Sequence, residues 1–449
     1  MLLGVPQKPD NEARRALKEK PYWLLSFLFF LAIILVPFQN TALSQTPLRY
    51  LGASLSFVPI TFFCLFSFLS RLLNRRIGSP EKWLAGLLLY SVVASVWGLI
   101  AIDAGAIKTS FLAVKFLTNT ALNILLIYPI FVAPTPNKTF RRAISLSFFL
   151  AVIGYVLIDV LSIPFFGAPS FLKITWGTTF PSGFSLEQST FAATVCLLSL
   201  ISAVLAQRRI TRWFYISIAL VFVTILSASK GTTLCLVLAF GFSFLFSGRK
   251  GKGGFTLKLL GLCFAAFLSF FVYDQMAERF QSDLDSSSSS STRSILILTS
   301  IPSVIENPLG VGYANYIPAI MVYTQPVTKW VRENLISNAT TRELESYFAQ
   351  EDKMALNIKA QFFEYLMVFG IPGLFLLIKF HLYLYKRIVC IHESNRETYL
   401  LLFWFVVFSL SSYISALGLY LYTVAYAVLL KGPSLYAQES NKNHKSTPM

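Results

Sequence analysis

Five charged side chains in a greasy sequence offer most of its chemistry. Lys230 stands in "LSASKGTT", Arg279 in "MAERFQSD" and Arg293 in "SSTRSILI". Arginine brings a forked set of donors and lysine a compact charge, so cations gathered at one face suit a diphosphate. Two carboxylates accompany them, Glu187 in "FSLEQSTF" and Glu364 in "AQFFEYLMVFGIPG". Either one can take a proton from an attacking hydroxyl. A sixth feature is a turn rather than a charge. "IENPLGVGYANY" (305–316) places Pro308, Gly310, Gly312 and Tyr313 within a few residues. It predicts a tight turn that lets backbone or a ligand approach closely. Tyr313 and Tyr316 in it are candidates for stacking on a sugar face or for plain packing.

The elements that hold these residues are membrane helices. The chain has 449 residues, 55% hydrophobic and 13% charged, with 42 Phe. A soluble domain cannot hide that much apolar surface. Runs of roughly 16–22 apolar residues predict about twelve spanning helices. They are placed near 22–38, 50–70, 83–102, 111–133, 143–163, 184–206, 213–227, 231–247, 257–273, 361–383, 398–412 and 415–430. The first run lacks a small-residue cleavage site and reads as a retained helix. The expected fold is therefore an all-α polytopic membrane protein. Helices one to nine would occupy 1–273, a large helical external loop 274–360, and the last three helices with a tail 361–449.

Net charge is +17, yet its distribution argues against nucleic acid. Alternate connections are basic, among them "ARRALKEK", "RLLNRR", "QRRITR" and "GRKGKGG". The positive-inside rule puts both termini in the cytoplasm. The loops 164–183 and 274–360 then face outward, as do the five charged residues above. His381, His392 and His444 map to the inner side, so an external base must be a carboxylate, or else a neutral polar residue only orients the hydroxyl. The five cysteines have no metal spacing. No metal or other cofactor is expected.

Within the long loop, "QSDLDSSSSSSTR" reads as a flexible linker. "TRSILILTSIPSVIE" (292–306) reads as a helix in or on the outer leaflet, and 328–360 as helical. "DLD" (283–285) matches a metal–nucleotide-sugar signature, but it abuts the serine run. Arg332 and Arg342 read as solvated surface charge. Helices as short as those in 214–246 leave Lys230 at or below the outer surface, where a charge is costly unless it faces a partner or water.

Taken in order, these motifs resemble the bacterial O-antigen polymerase/ligase superfamily, and within it the Wzy-type polysaccharide polymerases. "SIPSVIENPLGVGYANY" is similar to its Asn-Pro-Leu-x-Gly-x-Gly-like loop element, which follows an arginine-bearing helix. Arg293 occupies that helix here. "LSASKGTTLCLVL" resembles its Ser-Arg-Gly hairpin, with Lys230 where arginine is usual. "FPSGFSLEQSTFAATVCL" resembles its acidic segment, with Glu187 in the acidic place. "FFEYLMVFGIPGLFLL" resembles the helix that follows the loop. Ligases carry a His-Asn pair before that helix. This chain reads Lys359-Ala360 there, with Asn357 nearby, which favours a polymerase.

The resemblance implies a membrane glycosyltransferase that joins undecaprenyl-diphosphate-linked oligosaccharides by metal-independent, inverting transfer. Lys230, Arg293 and Arg279 would hold the diphosphate. Glu187, on the family motif, would serve as base, with Glu364, off the motif, as the other candidate. Pro308, Gly310, Gly312, Tyr313 and Asn357 would position substrate or loop. Membrane lipid, a chain-length regulator and a flippase are the implied partners. An O-antigen ligase and a lipid-linked-oligosaccharide flippase are the alternatives.

Overall fold

The computed structural model describes residues 23–39, 41, 54–73, 79–102, 137–154, 185, 188–206, 212–226, 230–246, 256, 259, 263, 266, 270, 288–335, 341–349, 356, 358, 360–389, 395–414, 421 and 424–430. These residues are helical apart from turns and one isolated bridge between Gln39 and Ser54. The helices in chain order are α1 (Trp23–Ile34), α2 (Phe57–Leu73), α3 (Ser79–Ala101), α4 (Asn137–Gly154), α5 (Gln188–Ala206), α6 (Arg212–Leu226) and α7 (Lys230–Phe246). Then come α8 (Ser288–Glu306), α9 (Tyr316–Asn334), α10 (Arg342–Ala349), α11 (Gln361–Val389), α12 (Asn395–Ile414) and α13 (424–430).

The chain divides into two compact units. The first holds α1, α2 and α4. Within it Phe29 and Phe63 meet ring to ring at 5.2 Å. Gln39 donates to the Val36 carbonyl at 3.0 Å and to Ser56 Oγ at 2.9 Å, which ties the segment after α1 to the residue before α2.

The second unit holds the other helices. Here α5 pairs with α6, α7 with α12, and α8 with α9 and α11. Small residues set the α5–α6 approach. Ser199 Oγ donates to the Ser217 carbonyl at 2.7 Å, and Ser217 Oγ returns a bond to the Ser199 carbonyl at 3.0 Å. Reciprocal bonding of this kind needs backbones close together, which only small side chains allow.

The residue pattern on these helices is inverted relative to a water-soluble bundle. On α3, Ser91, Ala94 and Ser95 are buried while Leu89, Val93, Val96 and Ile100 are exposed, Ile100 at 76%. On α6, Ser217 and Thr224 are buried while Ile218, Phe222 and Ile225 are exposed. Among the described residues, one stretch, Phe362–Val389, is long and apolar enough to cross a membrane by length and composition. Of the other apolar helices, α6 and α7 keep the lengths expected from the sequence. With 15 residues in α6 and 17 in α7, each rises about 23–26 Å at 1.5 Å per residue.

The serine run is a correction. From Ser288 onward it is not a linker but the opening of α8. Serine is a modest helix former, yet Ser291 and Thr292 are buried, so packing overrides propensity. The expected helix over 328–360 is also redistributed. Its first part is the end of α9, which begins earlier, at Tyr316, and the short α10 follows.

Candidate functional site

The turn predicted at 305–316 is the joint of the second unit. α8 ends at Glu306, and the Asn307 amide closes onto the Ser303 carbonyl at 2.9 Å. Asn307, Pro308, Leu309 and Gly310 then form a β-turn, with the Gly310 amide donating to the Asn307 carbonyl at 2.8 Å. Proline suits the second place of such a turn because its φ is already set.

This turn inserts into a break in α11. Gly370 has φ 60 and ψ −156, which splits α11 into two helical pieces. A helix end leaves carbonyls without internal donors, and a helix start leaves amides without acceptors. The turn supplies both. The Val311 amide donates to the Met367 carbonyl at 3.0 Å and the Gly312 amide to the Val368 carbonyl at 2.9 Å. The Ile371 amide donates back to the Pro308 carbonyl at 2.9 Å. The next residue, Pro372, has no amide to satisfy. Gly310 adopts φ 84, and a Cβ there would strike the backbone of Val368, Phe369 and Gly370.

α3 forms the third side of the joint. The Tyr90 hydroxyl sits 2.8 Å from the Leu309 carbonyl and 2.9 Å from that of Phe369, and it donates to these two oxygens. Asn315 Nδ2 donates to the Ser95 carbonyl at 3.2 Å. Gly312 lies against the backbone of Ala94 and Ser95, and Gly98 against that of Val311. Phe369 is the aromatic hub, with Tyr313, Tyr365 and Tyr90 around it at ring distances of 5.7, 5.9 and 6.3 Å.

Tyr313 and Tyr316 are both buried in the core. Their rings therefore serve packing, not stacking on a ligand. The Tyr316 hydroxyl accepts the Ile358 amide at 2.9 Å. Burial pushes this phenol well above its ordinary pKa, the Glu364 charge adds to the rise, and the Ile358 bond opposes it.

Glu364 lies in the first turn of α11 and is 7% exposed. Its amide bonds the Ala360 carbonyl at 3.0 Å. Arg293 lies on the exposed side of α8, in line with Ile297 and the exposed Ile301. Lys230 is the first residue of α7. Glu187, Arg279 and Asn357 lie outside the described residues, as do "DLD" and the loop 164–183. The joint thus gathers Pro308, Gly310, Gly312 and Tyr313 at the break that ends the first piece of α11, the piece that carries Glu364. Arg293 stands on α8, which packs on α9 and α11.

A second polar cluster escapes the sequence reading. Asn307 Nδ2 donates to the Tyr323 hydroxyl at 2.9 Å, and that hydroxyl donates to Glu306 Oε2 at 2.8 Å. Burial first, then the Glu306 bond and charge, push Tyr323 up to about 12, with Asn307 acting the other way. No local signal links residues 307 and 323. The break at Gly370 is different. Gly-Ile-Pro-Gly inside an apolar run is a breaker signal. Among the described residues no three His, Cys, Asp or Glu side chains cluster as metal ligands.

No protein-family model matches the chain, and no solved structure matches it. The chain is similar to a protein of Klebsiella pneumoniae named "Uncharacterized 49.5 kDa protein in cps region". The two are 30% identical over 253 residues, which cover 55% of this chain and 56% of that protein. The chain thus matches little more than half of its relative's length.

Proposed function

We propose that this chain is a multi-pass inner-membrane glycosyltransferase that polymerises lipid-diphosphate-linked oligosaccharide repeat units at the outer face of that membrane. The observation that carries the reading is the joint itself. Residues 307–312 are bonded into the break of α11, which ties the end of α8, the helix of Arg293, to the helix of Glu364. The exposed apolar faces of α3, α6 and α11 support membrane embedding, because lipid is the solvent in which buried serine and exposed isoleucine make sense. The relative's cps, or capsule polysaccharide, region supports polysaccharide biosynthesis.

In this reading the terminal sugar of one lipid-linked unit offers a hydroxyl. Its oxygen attacks the anomeric carbon of the glycan held on the second lipid diphosphate. The bond from that carbon to the diphosphate oxygen breaks, and the electron pair leaves with the lipid diphosphate. Lys230, Arg293 and Arg279 offset the charge that develops there. The hydroxyl proton passes to Glu187 or Glu364. A single displacement inverts the anomeric centre.

The test is a deletion strain analysed for surface glycan. A polymerase predicts single repeat units and no ladder of longer chains. An unchanged ladder, or loss of the single unit as well, rejects it.

A further inference from the structure

Between α9 and α10 lies an open groove of about 450 Å³ whose described lining includes neither Arg293 nor Glu364. Its size falls within the ordinary range for small-molecule sites. Along α9 it is lined by Thr324, Gln325, Thr328, Lys329, Arg332 and Glu333. These residues recur at three- and four-residue intervals, so they form one face of the helix. Polar groups therefore repeat along the groove once per turn, about every 5.4 Å, close to the length of one sugar ring in a chain.

The far wall comes from α10. Leu344 is buried, and Phe348 adds a half-buried ring. The two walls are tied at one point. Arg332 Nη2 donates to Thr341 Oγ1 at 2.9 Å, and Thr341 Oγ1 donates to Glu345 Oε1 at 2.6 Å. This bridge holds the helices at a fixed separation and orients one cation and one carboxylate of the lining.

The lining is balanced in charge. Lys329 and Arg332 are offset by Glu333 and Glu345. A site for phosphate would leave its cations uncompensated, so a simple anion is not the natural occupant. What remains is an alternation of donors and acceptors with an apolar patch beside them. A sugar presents the matching surface. Each hydroxyl both donates and accepts, and the ring face is a sheet of C–H groups that suits an aromatic ring.

We propose that the α9–α10 groove is an oligosaccharide-binding site. It would hold consecutive sugars of a glycan while the reducing end lies elsewhere. Only the identity of that glycan, the repeat unit being joined, rests on the polymerase reading.

The experiment uses the full-length protein in lipid nanodiscs. The probe is the repeat-unit oligosaccharide released by mild acid from the surface polysaccharide of the strain that carries this chain. Binding is followed by saturation-transfer NMR titration. The proposal expects saturable binding to the wild-type protein. Gln325→Ala and Lys329→Ala should each weaken it about 3–10-fold, as a lost hydrogen bond predicts. Phe348→Ala should weaken it by about tenfold through the lost ring face. Lys329→Gln, one atom shorter but still a donor, should recover part of the loss. Arg293→Ala lies outside the groove and should leave the titration unaltered while removing polymer in the strain. No saturable binding overturns the proposal, as do groove variants that bind like wild type. If Arg293→Ala leaves polymer intact, the diphosphate role of Arg293 fails; the polymerase reading is judged by the deletion strain and the groove by its own titration.

Discussion

Gly310 and Gly370 occupy each other's side-chain space. A Cβ on Gly310 would lie 2.6 Å from the Gly370 amide nitrogen, and a Cβ on Gly370 would collide with the Gly310 nitrogen and the Pro308 carbonyl. The turn and the broken helix are therefore two halves of one backbone contact. Each glycine also sits at positive φ, 84 and 60.

Alanine at either glycine should separate the loop from α11. The left-handed conformation alone costs about 1–3 kcal/mol for a residue with a side chain, and the collisions add to it. Thermal unfolding of the protein in detergent should show a lower midpoint for Gly310→Ala and for Gly370→Ala. Because the two report one contact, the double variant should lose less than the sum of the singles. Additive losses would mean that the glycines act independently.

Replacing the cations tests the diphosphate site. Lys230→Ala and Arg293→Ala should each abolish polymer while the protein remains in the membrane at normal amounts. Lys230→Arg should retain activity, because charge is kept. Arg293→Lys should lose more, because the forked donors are gone. The measurement is a glycan ladder beside an immunoblot of membranes. Normal ladders from both alanine variants would remove these residues from the mechanism.

Carboxylate variants separate two candidate bases. Glu187→Gln or Glu364→Gln should slow turnover about 10²–10⁴-fold, whichever is the proton acceptor. Purified protein with lipid-linked repeat units gives the rate. Glutamine keeps shape but takes no proton. If both variants run at the wild-type rate, catalysis rests on positioning and leaving-group stabilisation.

Reporter fusions test which side the loop faces. A fusion after residue 320 should be active outside the inner membrane, and one after residue 250 only in the cytoplasm. The reverse pattern would place Arg293 in the wrong compartment for a lipid-linked donor delivered outside.

Much of the helical layout is legible in the apolar runs, since the period of hydrophobic residues marks helices such as α5 and α11 directly. The turn at Pro308, Gly310 and Gly312 is legible for a related reason, because those residues have few other uses in a greasy chain. What the turn touches is not. Tyr90 meets Leu309 across 219 positions and Phe369 across 279, and nothing local encodes either contact. The fate of Tyr313 and Tyr316 is equally hidden, since a tyrosine beside a loop serves a sugar or a core equally well. The serine run misleads because weak helix formers are held helical by burial of Ser291 and Thr292.

The joint also imposes a timetable on synthesis. A chain made from its N-terminus exposes the α3 seat, with Ser95 and Gly98, long before residues 307–312 exist. The turn in turn waits for Met367, Val368 and Ile371, whose backbone groups complete it. A nascent chain that ends between the turn and Met367 therefore carries α3 and a turn whose Val311 and Gly312 amides lack their α11 acceptors. A group left bare in that way is costly once water is excluded. Premature stops anywhere between α8 and residue 371 should consequently leave a chain whose last segments are open to proteases, and a stop just beyond α11 should leave them closed.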